Sequence, residues 1–501
     1  MAFGLPESPG QIGSPLHLFY SFYVDGTPWK ETRDKEENEE MNGGTQELSK
    51  TAVVREVPLG IPETLRQAMH EEVEQLWARI YAKAQDLTPG GFYALEREVR
   101  EEALKLGGKV LGWALERGMG TGYQGTSAAC ESCRQPARFV NHRAKTIFTL
   151  VTRVGVKRAY YYCAVCGQGY FPLDAQLGIR GSLVSPALAE AIMRVNAEVP
   201  FERAEELLGT LSGVHYSRRD AREMTEAFGA DLEQQTQKEI QMMFRAGKRK
   251  PTPVENPEAP ERLYLSPDGT TVHMEDGWKE VKVASVFTAS VPVKKDEEPE
   301  RLRTRYVGTT EDSQAFGRRL YVEALKCGLE KAQEIVVVAD GGAWIWNEAE
   351  MWLPKDRIEI IDYFHAKEKL WEVANGVYGE GTPKAGTWAE RWSGVLYQRD
   401  AASVLPALRR LRPKGRAKRE ELRKVMGYFS THRNRMRYGY FRRHGYFIGS
   451  GVTESSCKHL VGSRFKQAGM CWNKINVQAI LQLRVAFLNQ RWDALWKGSL
   501  N

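Results

Sequence analysis

Apolar residues recur at helical spacing in two early stretches, LRQAMHEEVEQLWARIYAKA and LEREVREEALKLGGKVLGWAL, with TPGG as the breaker between them. They predict a helical hairpin over residues 61–119, which also reads as a dimerisation arm. The preceding residues 1–60 are Pro/Gly-rich and then charged (DKEENEEMNGG); they carry no packing pattern and are predicted to be flexible. Over 120–180 the period changes. FTLVTRVGVKRAYYYC alternates apolar and basic residues, as a half-exposed strand does. Residues 181–250 return to helical spacing, with a break near Ser212-Gly213 and a second helix opening at Ser217-Arg218-Arg219. That layout fits a helix-turn-helix and fits a plain helical packing module equally well. The Pro-rich, charged string KRKPTPVENPEAPER then reads as a linker.

From residue 261 short apolar runs take over: RLYLSPD, EVKVASVFTA, RTRYVGT, EIVVVAD and RIEIIDY. Helical stretches at Asp312–Cys327 and Ala343–Trp352 separate the third, fourth and fifth runs. Three consecutive strands followed by helix, strand, helix, strand is not a doubly wound pattern. It is the order of a ribonuclease-H-like fold, an antiparallel meander joined to parallel strands. The expected class is therefore α+β multidomain, with the first part of a mixed α/β core over 261–374. A basic helical insertion over 375–447 and C-terminal core helices over 448–501 complete the division.

Length and charge sharpen this outline. A chain of 501 residues calls for two to four domains. The net charge of +7 conceals a local bias: Arg409 to Arg443 holds fourteen Lys/Arg against two acids. Such a stretch favours a polyanion partner, the alternative being a solvated helix face. No apolar run reaches the roughly 18 residues of a membrane span. The N-terminus lacks the basic and apolar regions of a secretory signal, and seven cysteines do not form a secreted disulfide framework. A cytoplasmic, nucleoid-associated protein of a bacterial host is expected, without a membrane partner.

Four cysteines form two CxxC pairs, Cys130/Cys133 and Cys163/Cys166, about thirty residues apart. Four thiolates on two hairpin turns close a tetrahedral Zn²⁺ site, and with every position filled by sulfur the metal is structural. A redox role would need only one CxxC opening a helix. The segment is predicted to be a zinc ribbon.

Two aspartates end buried strands and precede glycine: Asp268 after Leu263-Tyr264-Leu265, and Asp340 after Ile335–Ala339. Carboxylates placed at strand ends beside glycine recur in α/β active sites, although a lone aspartate there also serves as a turn residue. Two Mg²⁺ or Mn²⁺ ions, roughly 3.5–4 Å apart in phosphodiester-cleaving sites, need such converging oxygen ligands. Glu454, in IGSGVTESSCK, supplies the third acid from a first helical turn, where a helix-stabilising glutamate is the alternative. Glu348 and Glu350 are discounted because they lie on the helix leaving the fourth strand.

Three strings occur together: ADGGAWIW around Asp340, IIDYFHAKEKLW over 360–371, and GYFIGSGVTESSCK followed by RFKQAGMCW and AILQLRVAFLNQRWDALW. In combination they resemble the bacterial insertion-sequence transposases of the Kra-four group, within the DDE class that includes Mutator-like elements. The resemblance covers roughly residues 120–500 and takes in the cysteine pairs and PFERAEELL; residues 1–60 match nothing. It implies a DDE triad of Asp268, Asp340 and Glu454 holding the two metal ions. It also implies a D-x2-H motif, Asp362 and His365, in which His365 positions the scissile phosphate or the third acid, the alternative being a satisfied buried histidine. Cys471 in GMCW departs from the pattern and is read as neutral packing.

The implied reaction is metal-dependent hydrolysis at a transposon end, then attack of the released 3′-OH on target DNA, by at least a homodimer. Arg433, Arg435, Arg437, Arg442 and Arg443 before the Glu454 helix, and Lys458, Arg464 and Lys466 after it, are the expected phosphate contacts. Tyr438 and Tyr440 are candidate stacking platforms for an unpaired base. End-sequence reading is assigned to the zinc ribbon and the helices that follow it. A catalytically silent, domesticated DNA-binding protein and a related ribonuclease-H-like nuclease remain the alternatives.

Overall fold

The computed structural model describes residues 63–85, 88–179, 182–214, 216–244, 259–290, 300–449 and 451–499, except for the side chains of 64, 65, 89, 452–454 and 499. The flexible segment expected over 1–60 and most of the expected linker fall outside these residues. The chain divides into two compact units, Met1–Met69 and His70–Asn501. Of the first, only the opening of helix α1 (Glu63–Ala84) is described.

In the second unit, the remainder of α1 meets helix α2 (Pro89–Met119) through Lys83–Glu98 and Arg79–Glu102 ion pairs. The α2 sequence LGGKVLGW is glycine-rich for a packing reason. A Cβ on Gly108 would stand 2.0 Å from Thr152 Cγ2, so only glycine lets the helix close onto the strand behind it. That strand belongs to an antiparallel sheet in the order β1 (Ser127–Ala129), β2 (Pro136–Phe148), β3 (Arg153–Tyr162), β4 (Gly169–Tyr170). β2 and β3 form a long hairpin in which Val154 and Val156 point to Leu111 and Leu115 of α2, while Arg153 and Lys157 point outward. The alternation seen in the sequence is this two-sidedness.

A short helix α3 (Pro172–Gln176) leads to α4 (Pro186–Glu198), capped by Ser185, and α5 (Phe201–Ser212), which ends on left-handed Gly213. Helix α6 (Arg218–Phe244) follows. It is 27 residues long and packs on the 15-residue helix α16 (Lys474–Leu488), with Gly229 so close that a Cβ would lie 2.3 Å from Ala479 O. This backbone-to-backbone seat makes α6 a packing helix of the main body.

The second sheet has five strands in the order β7-β6-β5-β8-β9. β5 (Arg262–Met274), β6 (Gly277–Ala289) and β7 (Arg301–Thr309) form an antiparallel meander. Helix α7 (Ser313–Lys326) then leads to β8 (Glu334–Ala339), parallel to β5, and α8 (Ala343–Trp352) leads to β9 (Ile358–Ile361), parallel to β8. The continuous apolar runs Leu263–Leu265 and Val336–Ala339 are essentially without solvent exposure, as befits central strands covered on both faces. One apolar core joins these strands to α7 and α8 and the helices after β9; a second joins Val272, Val281 and Val283 to α4, α6 and α16.

After β9 come α9 (Tyr363–Tyr378), α10 (Pro383–Gln398), α11 (Ala401–Arg410), α12 (Arg416–Thr431) and α13 (Tyr438–Arg443). The chain is tied back where it leaves this helical excursion. Arg262 at the start of β5 donates to Gly445 O and His444 O, pairs with Glu334, and stacks on Tyr446 at 4.0 Å. Helix α14 (Gly451–Ser456), a π-helical turn at Cys457–Gly462, α15 (Ser463–Phe465), α16 and α17 (Trp492–Ser499) close the fold. Among the described residues, no helix is long and apolar enough to cross a membrane.

Candidate active site and cysteine centre

The two CxxC pairs fold as near copies of each other. Cys130 N–H donates to Gln135 O and Arg134 N–H to Cys130 O; Cys163 N–H donates to Gln168 O and Gly167 N–H to Cys163 O. The residue after each pair is left-handed, Arg134 at φ 63° and Gly167 at φ 70°. Each turn aims its two sulfurs and nearby backbone N–H groups at one point. Backbone donation from Cys133 holds the Cys130 thiol down at about 7, and donation from Cys166 lowers that of Cys163. All four ligand atoms lie within 4.8 Å of one another, with Cys130–Cys166 and Cys133–Cys163 at 3.6 Å. A tetrahedron with Zn–S near 2.3 Å has edges of about 3.8 Å, so the four cysteines fit a structural metal such as zinc.

The acidic residues are set by strand register. Leu265 pairs with Val337 across parallel β5 and β8, and Ala339 pairs with Ile361 across β8 and β9. Asp268 thus lies three residues past the last β5–β8 pair, and Asp340 and Asp362 directly follow β8 and β9, so the three aspartates emerge at the same end of the parallel part of the sheet. Asp362 N–H extends the ladder to Ala339 O at 2.8 Å.

One expectation is corrected here. Asp268 does not end its strand: β5 continues to Met274, paired with β6 throughout, and Asp268 faces Val283. What ends near Asp268 is the β8 neighbour, whose pairing stops at Leu265–Val337. The flank of Asp268 is thereby open to Asp340 and to the chain around residue 457.

Each aspartate is held by its own loop. Gly269 N–H donates to Asp268 Oδ1 at 2.7 Å and Cys457 Sγ–H to Oδ2 at 3.2 Å. Gly342 N–H donates to Asp340 Oδ1 at 2.7 Å. Asp362 caps α9, accepting from Phe364 N–H and His365 N–H. Burial raises the Asp268 carboxyl above the ordinary range, with a smaller push from Asp340; the Cys457 and Gly269 hydrogen bonds and nearby His365 oppose it. His365 is not a buried histidine, since its side chain is 41% exposed and its Nδ1 lies 3.7 Å from Glu368.

The backbone bearing Glu454 comes to the same place. Tyr363 N–H donates to Ile448 O, helix α14 packs against β5 and β6, and Cys457 reaches Asp268. The Glu454 side chain lies outside the described residues. Among the described residues, only the four cysteines bring three or more ligand atoms within 4.8 Å of one another. Glu348 accepts from Trp352 Nε1 and Glu350 pairs with Arg357, so both discounted acids are engaged on α8 and just beyond it.

The basic residues separate into two groups. Arg433, Arg437, Arg443, Lys458 and Lys466 are exposed, and Lys466 hydrogen-bonds Thr270, two positions past Asp268. Arg435 is engaged internally, bonding Glu359 at 2.6 Å and stacking on Trp346 at 4.2 Å. Arg442 stacks on Tyr397 at 3.8 Å. Arg464 is a correction to the expected DNA contacts. It is fully buried, donates to Asn196 O, and lies between the rings of Phe201 and Trp472. Its charge is withdrawn from solvent, and burial lowers it to about 10. Tyr438 is likewise fully buried and offers no stacking platform, whereas Tyr440 is 37% exposed. Cys471 is exposed rather than packed.

The sequence reasoning passed over three residues around these aspartates. Cys457 stood inside a quoted motif but was given no role. Tyr428 and His432 lie in the basic stretch, where only charge was counted, yet both are close enough to Asp340 to feel its charge.

Fold and centres together define a mixed α+β protein with a four-cysteine centre and three aspartates at one end of the parallel part of its larger sheet. The chain belongs to an uncharacterised protein family, UPF0236, whose family model matches residues 94–493. A search of the curated proteins finds no match.

Proposed function

We propose that this protein is a DDE transposase, cutting DNA at transposon ends and joining the released 3′-OH to target DNA. The observation that carries this reading is the placement of Asp268 just past the last β5–β8 pair and of Asp340 and Asp362 directly after β8 and β9, with the Glu454 helix packed on β5 and β6. The strand order β7-β6-β5-β8-β9, with the first three antiparallel, is that of a ribonuclease-H-like core, and the helices α10–α13 stand where an insertion before the third acid would stand.

Asp268, Asp340 and Glu454 are the proposed ligands of two Mg²⁺ or Mn²⁺ ions. Hard carboxylate oxygens suit these ions, and a carboxyl disfavoured by burial, as at Asp268, is relieved by a bound cation. When bound, the ions supply nucleophile activation and leaving-group stabilisation. The chain's own part is to fix the carboxylates through Gly269, Gly342 and Cys457. Exposed Arg433, Arg437, Arg443, Lys458 and Lys466 are the proposed phosphate contacts. The cysteine centre is proposed to be a zinc ribbon that contributes to end recognition.

The test uses a labelled duplex carrying the DNA that flanks the coding sequence, with Mg²⁺, Mn²⁺ or EDTA, beside Asp268→Ala. Metal-dependent cleavage leaving a 3′-OH, absent in the variant, is the expected outcome. Tight binding without cleavage in either metal would identify a silent DNA-binding protein instead.

A further inference from the structure

From Arg134 to Leu173 the chain carries no acid, although 64 of its 501 residues are Asp or Glu. Seven cations fall in that stretch, six of them on β2 and β3. Lys145 and Arg158 turn inward to Asp174. Arg138, Arg143, Arg153 and Lys157 are exposed, and among the described residues none of them pairs with a carboxylate. The strand register gathers part of this charge on one face. Arg138 pairs with Tyr162, Asn141 with Tyr160 and Arg143 with Arg158, all alternate positions of β3. Strict alternation along β2 would put Arg138 on the opposite face from Asn141 and Arg143. The bulge between Phe139 and Asn141 removes that difference and re-aims Arg138. Arg143 is already held in place. Its guanidinium lies over the Tyr160 ring at 3.7 Å, and its Nε donates to Asn141 Oδ1 at 3.2 Å. Tyr160 leans in turn on Phe171, over which buried Arg158 lies at 3.8 Å. Of the Arg143 donors only Nε is hydrogen-bonded among the described residues, which leaves both Nη groups for a ligand.

We propose that this face of the β2–β3 ribbon lies in the major groove of duplex DNA, with Arg138 and Arg143 on base edges and Asn141 positioning Arg143. The inference rests on the transposase reading and deepens it, by naming the residues of the cysteine-bearing segment that read the DNA end. The groove is about 12 Å wide and admits a two-stranded ribbon, whose strands lie about 4.8 Å apart. A planar guanidinium fork matches the two acceptors that guanine presents there. A fork already fixed by a ring and an amide loses little freedom on binding. An exposed strand face with two arginines and no acid in its own segment complements a polyanion. The ribbon is also held at both ends, by the four cysteines at one and by the seat of Thr152 on Gly108 of α2 at the other.

The test is Arg143→Lys in the full chain, purified without chelator. The substitution keeps the charge but loses the planar fork and its stack on Tyr160. Affinities in Ca²⁺ are measured across a salt series for the flanking-DNA duplex and for a scrambled duplex of the same composition. Bound zinc is measured on the same samples. The expected result is a flanking-to-scrambled affinity ratio about ten-fold lower than wild type, with the salt slope and the zinc content unchanged. A variant that keeps the wild-type ratio would overturn the inference and leave the transposase reading intact. Loss of zinc from the variant would also overturn it, by making Arg143 a support for the cysteine turns. A wild-type chain that binds both duplexes equally would overturn it as well; cleavage of the flanking duplex in Mg²⁺, read separately, decides the transposase reading.

Discussion

Removing the metal from the four-cysteine centre should open the two cysteine turns and the end of the β1–β4 sheet around them, while the β2–β3 end packed on α2 and the five-stranded sheet persist. The magnitude follows from how little else closes this small unit. The buried residues around the sulfurs are Ala137, Ala159 and Tyr161, besides Cys130 and Cys163 themselves. Burial of one tyrosine and two alanines contributes on the order of 4 kcal/mol. A four-ligand Zn²⁺ in an isolated finger contributes about 10–16 kcal/mol. The main body keeps its own, far larger apolar cores, which share no residue with this one. The assay has two parts. Elemental analysis of protein purified without chelator should find about one zinc per chain, the stoichiometry of a single tetrahedral site. Hydrogen exchange after chelation should release the Arg134 and Gly167 amides, which bond to Cys130 O and Cys163 O, while the β8 amides stay protected. Metal-free protein whose Arg134 and Gly167 amides remain as slow as before would refute the reasoning.

Two further outcomes separate the roles of individual charges. The folded state raises the Asp268 carboxyl, so it binds a proton that the unfolded chain has released. Stability of the metal-free protein should therefore fall as pH rises through the window just above the ordinary carboxylate range of about 3.9. Asp268→Asn should lose that dependence and melt higher than wild type at neutral pH without metal; equal melting temperatures across the range would count against it. Arg433→Ala should reduce the salt slope of duplex binding by about one unit, whereas buried Arg464→Met should leave the slope unchanged and cost little or no stability. A slope that fell with Arg464 and not with Arg433 would reverse the assignment.

The strands of the larger sheet were legible because central, doubly covered strands read as unbroken apolar runs, and Leu263–Leu265 and Val336–Ala339 are such runs. The cysteine knuckles were legible because their spacing is the geometry. The end of β5 was misplaced at Asp268 for a local reason. Pro267, Asp268 and Gly269 look like a turn in any window, and only pairing with Ala284, Val283 and Lys282 keeps them extended. Charge counting failed in the same way at Arg464. Nothing in RFKQ marks the arginine as buried, because its burial is made by Asn196, Phe201 and Trp472, the first two of which lie more than 260 positions away.

Gly341 and Tyr428 show what this loss of information means for the site. The sequence displays DGG as a pair of glycines, which reads as a loop. The two glycines do different work: Gly342 gives its N–H to Asp340, while Gly341 makes room for a ring from α12. A side chain at 341 would push Tyr428 away without touching a carboxylate. The aspartates are placed by the sheet and the loops that follow its strands, and a helix some ninety residues away packs against the glycine beside Asp340. A carboxylate motif can be picked out in the sequence; the packing of the excursion between β9 and α14 against the glycine beside it cannot.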